Sequence, residues 1–193
     1  MELDLITDIH KYCDNWSDRC IYSTRCELFI ETIYKNERKK AVFNPEGFFN
    51  VLRDLFVQAY DSFEIYRTDS SDMEELSELY GAESNNWLEK NELSLKDNNK
   101  NTDITDALDV IRYYQYFISL KVKKSFESDI DEKLIQLKLA EVAASRSISA
   151  WYIIFKETGS GDIGKIIGIL KSILILLDES NPELKSFYRP YFD

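Results

Sequence analysis

The chain has 193 residues, a formal net charge of −11, 44% apolar residues and only 6 glycines and 3 prolines. A core of that length buries roughly 70% of the surface the unfolded chain exposes, and the composition argues against global disorder. The acidic balance argues against nucleic acid as a partner, because phosphate binding needs clustered Lys and Arg.

Glu2, Asp4 and Asp8 stand where a secretory signal would be basic, so a cytoplasmic protein is expected. Immediately afterwards, residues 10–26 hold the only histidine and all three cysteines, spaced His10-x2-Cys13-x6-Cys20-x5-Cys26. An odd cysteine count in a reducing compartment disfavours a disulfide framework. Thiolate sulfur and imidazole nitrogen suit zinc or an iron–sulfur cluster. On one unbroken helix Cys13 and Cys20 would lie about 10.5 Å apart along the axis. Two thiolates on one zinc, each at about 2.3 Å, cannot stand much beyond about 4 Å from one another.

A shared metal therefore needs the helix to stop. Asp14-Asn15 and Ser17-Asp18 are turn formers, and Thr24-x-x-Glu27 has capping-box spacing for a new start. The expected motif is a helix–loop–helix with His10 and Cys13 one turn apart on its first helix. Cys20 returns on the loop, and Cys26 sits at the start of the second helix. The competing reading is three inert cysteines packed in a helical core under Trp16 and Tyr22.

Residues 12–20, YCDNWSDRC, and 22–26, YSTRC, resemble the opening of a group of uncharacterised bacterial proteins with a C-x3-C-x2-C-x5-C pattern. Residues 109–126, DVIRYYQYFISLKVKKSF, resemble a later helix of that group. The resemblance implies a cysteine-ligated site and no particular reaction. Ser17 stands where the pattern has its second cysteine, leaving either a Cys3His set completed by His10 or a site that has lost a ligand.

Further along, Asn44-Pro45-Glu46 should open a helix that buries Phe48, Leu52, Leu55, Phe56, Ala59 and Phe63. Ser71-x-x-Glu74 has the spacing of a second start. Between Asp61 and Asp109, fourteen acids stand against four Lys and Arg, a surface suited to a basic protein partner. The polar run 90–103 predicts a long loop. A helix from Asp103 to about Ser125 should bury Ile104, Leu108, Ile111, Tyr114, Ile118 and Val122, and one over about 130–157 should bury Leu134, Leu137, Ala144, Ile148, Trp151 and Phe155. Small residues around Arg146 would suit a close helix seam, including a homodimer seam.

The glycines of TGSGDIGKII, 158–167, fit G-x-G-x-x-G and part of a P-loop. Ile166 replaces the magnesium-binding hydroxyl, and no strand precedes them, so a glycine cap between helices is the better reading. Residues 163–177 form the most apolar helix. Its stretch 166–177 contains Lys171 and falls short of the roughly 20 residues of a membrane span, so no membrane partner is expected. Asn181-Pro182-Glu183 should open one more helix.

The expected whole is an all-α bundle of six or seven helices forming a single domain over 1–193. Its function would be binding or regulation, with zinc, an iron–sulfur cluster or no cofactor at His10, Cys13, Cys20 and Cys26. A metal-dependent or thiol redox enzyme and an acidic interaction module are the alternatives.

Overall fold

The computed structural model describes residues 5–29, 45–66, 72–98 and 102–193. It is all-α: six α-helices are traced among the described residues, with helical backbone also at 27–29. They are α1 (Pro45–Ser62), α2 (Met73–Asn98), α3 (Thr102–Tyr114), α4 (Phe117–Glu127), α5 (Ile130–Thr158) and α6 (Gly161–Ser180). The chain forms two compact units, Met1–Val51 with Tyr188–Asp193, and Leu52–Phe187.

In the larger unit α5 is the hub, packed against α3, α4 and α6, while α2 lies along α6 and α4. Its start is fixed by Asp129, whose carboxylate accepts the Glu132 N–H at 2.9 Å. Gly159 ends it in the left-handed region, at φ 62°, with its N–H on the Phe155 carbonyl. Ser160 then takes the N-cap position of α6, its carbonyl accepting from Ile163 N–H at 3.2 Å. The glycine-rich stretch is thus a helix–helix corner, and the strand–loop–helix that a nucleotide fold requires is absent from it.

As its composition implies, α6 is central: Ile163, Ile166, Ile167, Ile169, Leu170, Ile173 and Leu177 are all buried. On its flank, Gly168 lets residues 64–66 cross the helix. A Cβ there would stand 2.9 Å from the Glu64 carbonyl oxygen and 3.0 Å from the Tyr66 nitrogen. The crossing is tied by Tyr66 N–H to Gly168 O at 3.1 Å and by Ser172 Oγ to Tyr66 O at 2.9 Å.

Several expectations need correction. The run 90–103 is not a long loop, since α2 continues to Asn98. Local bonds keep its polar end helical: Asn91 Nδ2 donates to Trp87 O and Ser94 Oγ to Asn91 O. Buried Glu92 pairs with Arg112 of α3, which anchors that turn from outside. The expected helix over 103–125 divides at Gln115-Tyr116 into α3 and α4, although all six of its expected core residues are buried. Here the Gln115 carbonyl and the Tyr116 ring close on Gly81 of α2, so tightly that a Cβ would lie 2.9 Å from that oxygen.

Asp72 caps α2, accepting Glu74 N–H at 2.8 Å; the expected caps Ser71 and Asn44 lie outside the described residues. Asn181-Pro182-Glu183 opens only a 3-10 turn, Pro182–Lys185, and the backbone leaves the helical pattern by Phe187.

In the smaller unit, residues 5–26 hold almost no regular structure. Two 3-10 turns, Ile9–Lys11 and Ser17–Arg19, are joined by left-handed Asn15. Ile6 bridges to Cys26, its N–H on the Arg25 carbonyl at 3.0 Å. Buried Ile6, Ile9, Cys26 and Phe29 form its core, with Tyr22 and Phe192 packed against them.

Candidate functional site

The first expected helix of the cysteine region is a single 3-10 turn, so His10 and Cys13 do not share a helical face. Asp8, at φ 62°, starts this turn, and residues 12 and 13 bend away from it. Cys13 nevertheless folds back on His10, its Sγ donating to the His10 carbonyl and to Asn15 Oδ1, both at 3.4 Å. The Trp16 N–H closes on Asp14 Oδ1 at 3.2 Å, one of the turns that Asp14-Asn15 was expected to make.

Cys20 leads into the turn 21–25, where Ser23 N–H donates to Cys20 O and Arg25 N–H to Tyr22 O. Helical backbone begins at Glu27, directly after Cys26. The new helix therefore starts two residues later than a Thr24 cap would place it, because Cys26 is spent on the bridge to Ile6.

These turns bring the four residues to one place. His10, Cys13, Cys20 and Cys26 line a single pocket of about 270 Å³, with Asp14, Asn15, Ser23 and the apolar walls Trp16, Leu28 and Phe29. All three cysteines are thiols, Cys26 buried and the others half-buried. Burial pushes the Cys13 thiol up to about 11, and the nearby Asp14, Cys20 and Cys26 push the same way, against the Asn15 backbone N–H, which favours the thiolate. Arg19, expected to favour thiolates, has its guanidinium 5.1 Å from the Trp16 ring centre and 4.9 Å from that of Phe48. Among the described residues, no three His, Cys, Asp or Glu side chains stand together in an arrangement that could hold a metal ion. The donors share a pocket but are not drawn up as ligands.

The other sequence candidates resolve into structure. In RYYQYF, Tyr114 is buried, Tyr116 is exposed, and Tyr113, Tyr114 and Phe117 stack edge to face or tilted. Arg146 is half-buried and donates to Tyr114 Oη at 2.7 Å. Part of the acidic region is tied to neighbouring helices, through Lys165 to Glu83 and Lys123 to Glu78, both at 2.5 Å. No helix of the described residues is long and apolar enough to cross a membrane.

Sequence reasoning missed a buried polar group in the larger unit. The Tyr80 hydroxyl is ringed by Ser84, Ser147 and Trp151, all fully buried. None of the four closes to hydrogen-bond geometry. Their spacing offered a signal: Tyr80 and Ser84, like Ser147 and Trp151, are four residues apart and share a helical face.

Comparison with known proteins yields no match, whether to a family model, a curated protein or a solved structure.

Proposed function

We propose that the smaller unit binds a thiophilic metal, zinc in the first instance, through His10, Cys13, Cys20 and Cys26, and that the protein is a binding or regulatory module rather than an enzyme. One observation carries the reading: four scattered donors, the chain's whole complement of His and Cys, line one pocket. Three sulfurs and an imidazole form a donor set that zinc accepts in closed, four-ligand sites. The described residues around the pocket, packed on the small cluster of Ile6, Ile9, Cys26 and Phe29, are also the kind of small fold that gains most from a metal cross-link.

The pocket is larger than a bare ion needs and has apolar walls in Trp16, Leu28 and Phe29. That favours an iron–sulfur cluster as the second reading, in which sulfide fills the remaining space. Anaerobic purification followed by zinc, iron and sulfide analysis separates the two. Cobalt titration of the reduced apoprotein then reports thiolate ligation through its charge-transfer bands. Stoichiometric zinc, lost on Cys20→Ser, is expected. A reduced protein that neither carries nor takes up zinc, cobalt or iron at stoichiometric level overturns the metal reading.

A further inference from the structure

We propose that the pocket of the smaller unit is a binding site for a small, neutral aromatic molecule of two fused rings, seated against Trp16, Leu28 and Phe29 beside the thiols. The proposal goes beyond the metal reading and does not rest on it. An ion at about 2.3 Å from its sulfurs takes up little of a space of about 270 Å³.

Size sets the ligand. An apolar cavity of about 150 Å³ takes up benzene. The pocket has nearly twice that volume, which in proportion corresponds to about ten or eleven non-hydrogen atoms, a fused bicycle. Access needs no rearrangement. Buried Ser23, Cys26 and Phe29 line the pocket together with exposed His10, Asn15 and Leu28, so it reaches from the interior of the unit to solvent. Leu28, an apolar wall residue, is 50% exposed.

The walls favour a ring over an aliphatic ligand of the same size. Trp16 and Phe29 offer faces and edges for offset or edge-to-face contact, and Cys13, Cys20 and Cys26 offer polarisable sulfur, which packs well about 5 Å from an aromatic ring. Asn15 and Ser23 supply polar groups for one hydroxyl or ring N–H.

Charge then selects a neutral molecule. Among the described residues no Lys or Arg lines the pocket, and its one carboxylate is Asp14, whose Oδ1 accepts the Trp16 N–H. An anion would meet that carboxylate with no counter-charge. A cation would come up to Trp16, which Arg19 already faces with its guanidinium 5.1 Å from the ring centre. A neutral ring escapes both costs.

The test is calorimetric titration of the full, reduced chain, as purified, with 2-naphthol, its metal content being measured on the same sample so that the two readings fail separately. One-to-one binding is expected with a Kd of about 10–500 µM, a range suited to a ligand of that size. Its anionic analogue 2-naphthoate should bind at least about tenfold more weakly. Leu28→Asp, which puts a charge on an exposed wall position, and Trp16→Ala should each weaken 2-naphthol by about tenfold or more, with far-UV circular dichroism showing that the variants fold. No saturable binding to wild type overturns the proposal. So does binding that folded Leu28→Asp retains, which would place the ligand elsewhere, or 2-naphthoate binding as tightly as 2-naphthol.

Discussion

Replacing Lys171 by Met should destabilise the larger unit by about 2–3 kcal/mol, although a charge leaves an apolar helix. Lys171 is only 5% exposed. Its ammonium donates to the carbonyls of Tyr60 and Phe63, both at 2.5 Å, and lies 4.3 Å from the Tyr60 ring centre. It thus caps the C-terminal end of α1 from the side, where the helix dipole favours a cation.

Methionine keeps the volume, so no cavity term enters. Two carbonyls lose a charged donor, each such bond contributing about 1.5–3 kcal/mol, and the aromatic contact adds about 1. Against this, an ammonium no longer has to be desolvated, a cost large enough to lower its pKa, which returns most of the sum. Urea unfolding followed by far-UV circular dichroism measures the balance. With an m-value of about 1–3 kcal/mol/M, the midpoint should fall by about 1 M or more.

The pH dependence supplies a second arm. Burial lowers the Lys171 pKa from 10.5, partly opposed by Asp61. Between that lowered value and 10.5 the unfolded chain holds more protons, so this residue makes stability rise with pH there; below it the contribution is flat. Lys171→Met should lose that rise. A variant as stable as wild type, or more stable, would show that desolvation outweighs the two bonds and refute the capping role.

Two other substitutions probe the same unit. Gly168→Ala should cost about 1–3 kcal/mol despite alanine's better helix propensity, because its Cβ would push residues 64–66 off α6. An unchanged urea midpoint would mean that this crossing contributes little to stability. Tyr80→Phe should change stability little at pH 7 or raise it slightly, because the buried hydroxyl closes no hydrogen bond, and the variant should gain on wild type in alkali. Burial raises the Tyr80 pKa, opposed by Ser147, Trp151 and Ser84. Its contribution is therefore complete below 10 and lost as pH rises through the folded value, at up to about 1.4 kcal/mol per pH unit. A wild-type-minus-variant difference constant from pH 9 to 11 would contradict that assignment.

Most of the fold was legible because periodicity and caps report on local backbone. The six expected core positions over 104–122 are buried, and Gly159 and Ser160 turn α5 into α6 as their chemistry implies. What escaped was set by partners distant in sequence. Nothing within 90–98 announces a helix, whose outside support is Arg112 pairing with Glu92. The division at Gln115-Tyr116 is written in Gly81, more than thirty residues earlier, where the absence of a side chain lets that junction approach.

The candidate site shows the same boundary more sharply. Turn residues at 14–18 and the spacing of four donors sufficed to expect one meeting place, and the pocket brings all four to its wall. Its helical scaffolding was over-read: a 3-10 turn stands where a helix was expected, and Cys26 joins a bridge to Ile6 that hydrophobic periodicity over 5–29 does not signal. The packing of the C-terminal residues was invisible for a stronger reason. Tyr22 and Phe192 are 170 positions apart, and Arg189 with Asp193 reads as an ordinary i, i+4 pair, with nothing to announce that Phe192 packs on the cluster of Cys26 and Phe29. Spacing can name candidate donors, but where each of them stands is a property of the tertiary contacts alone.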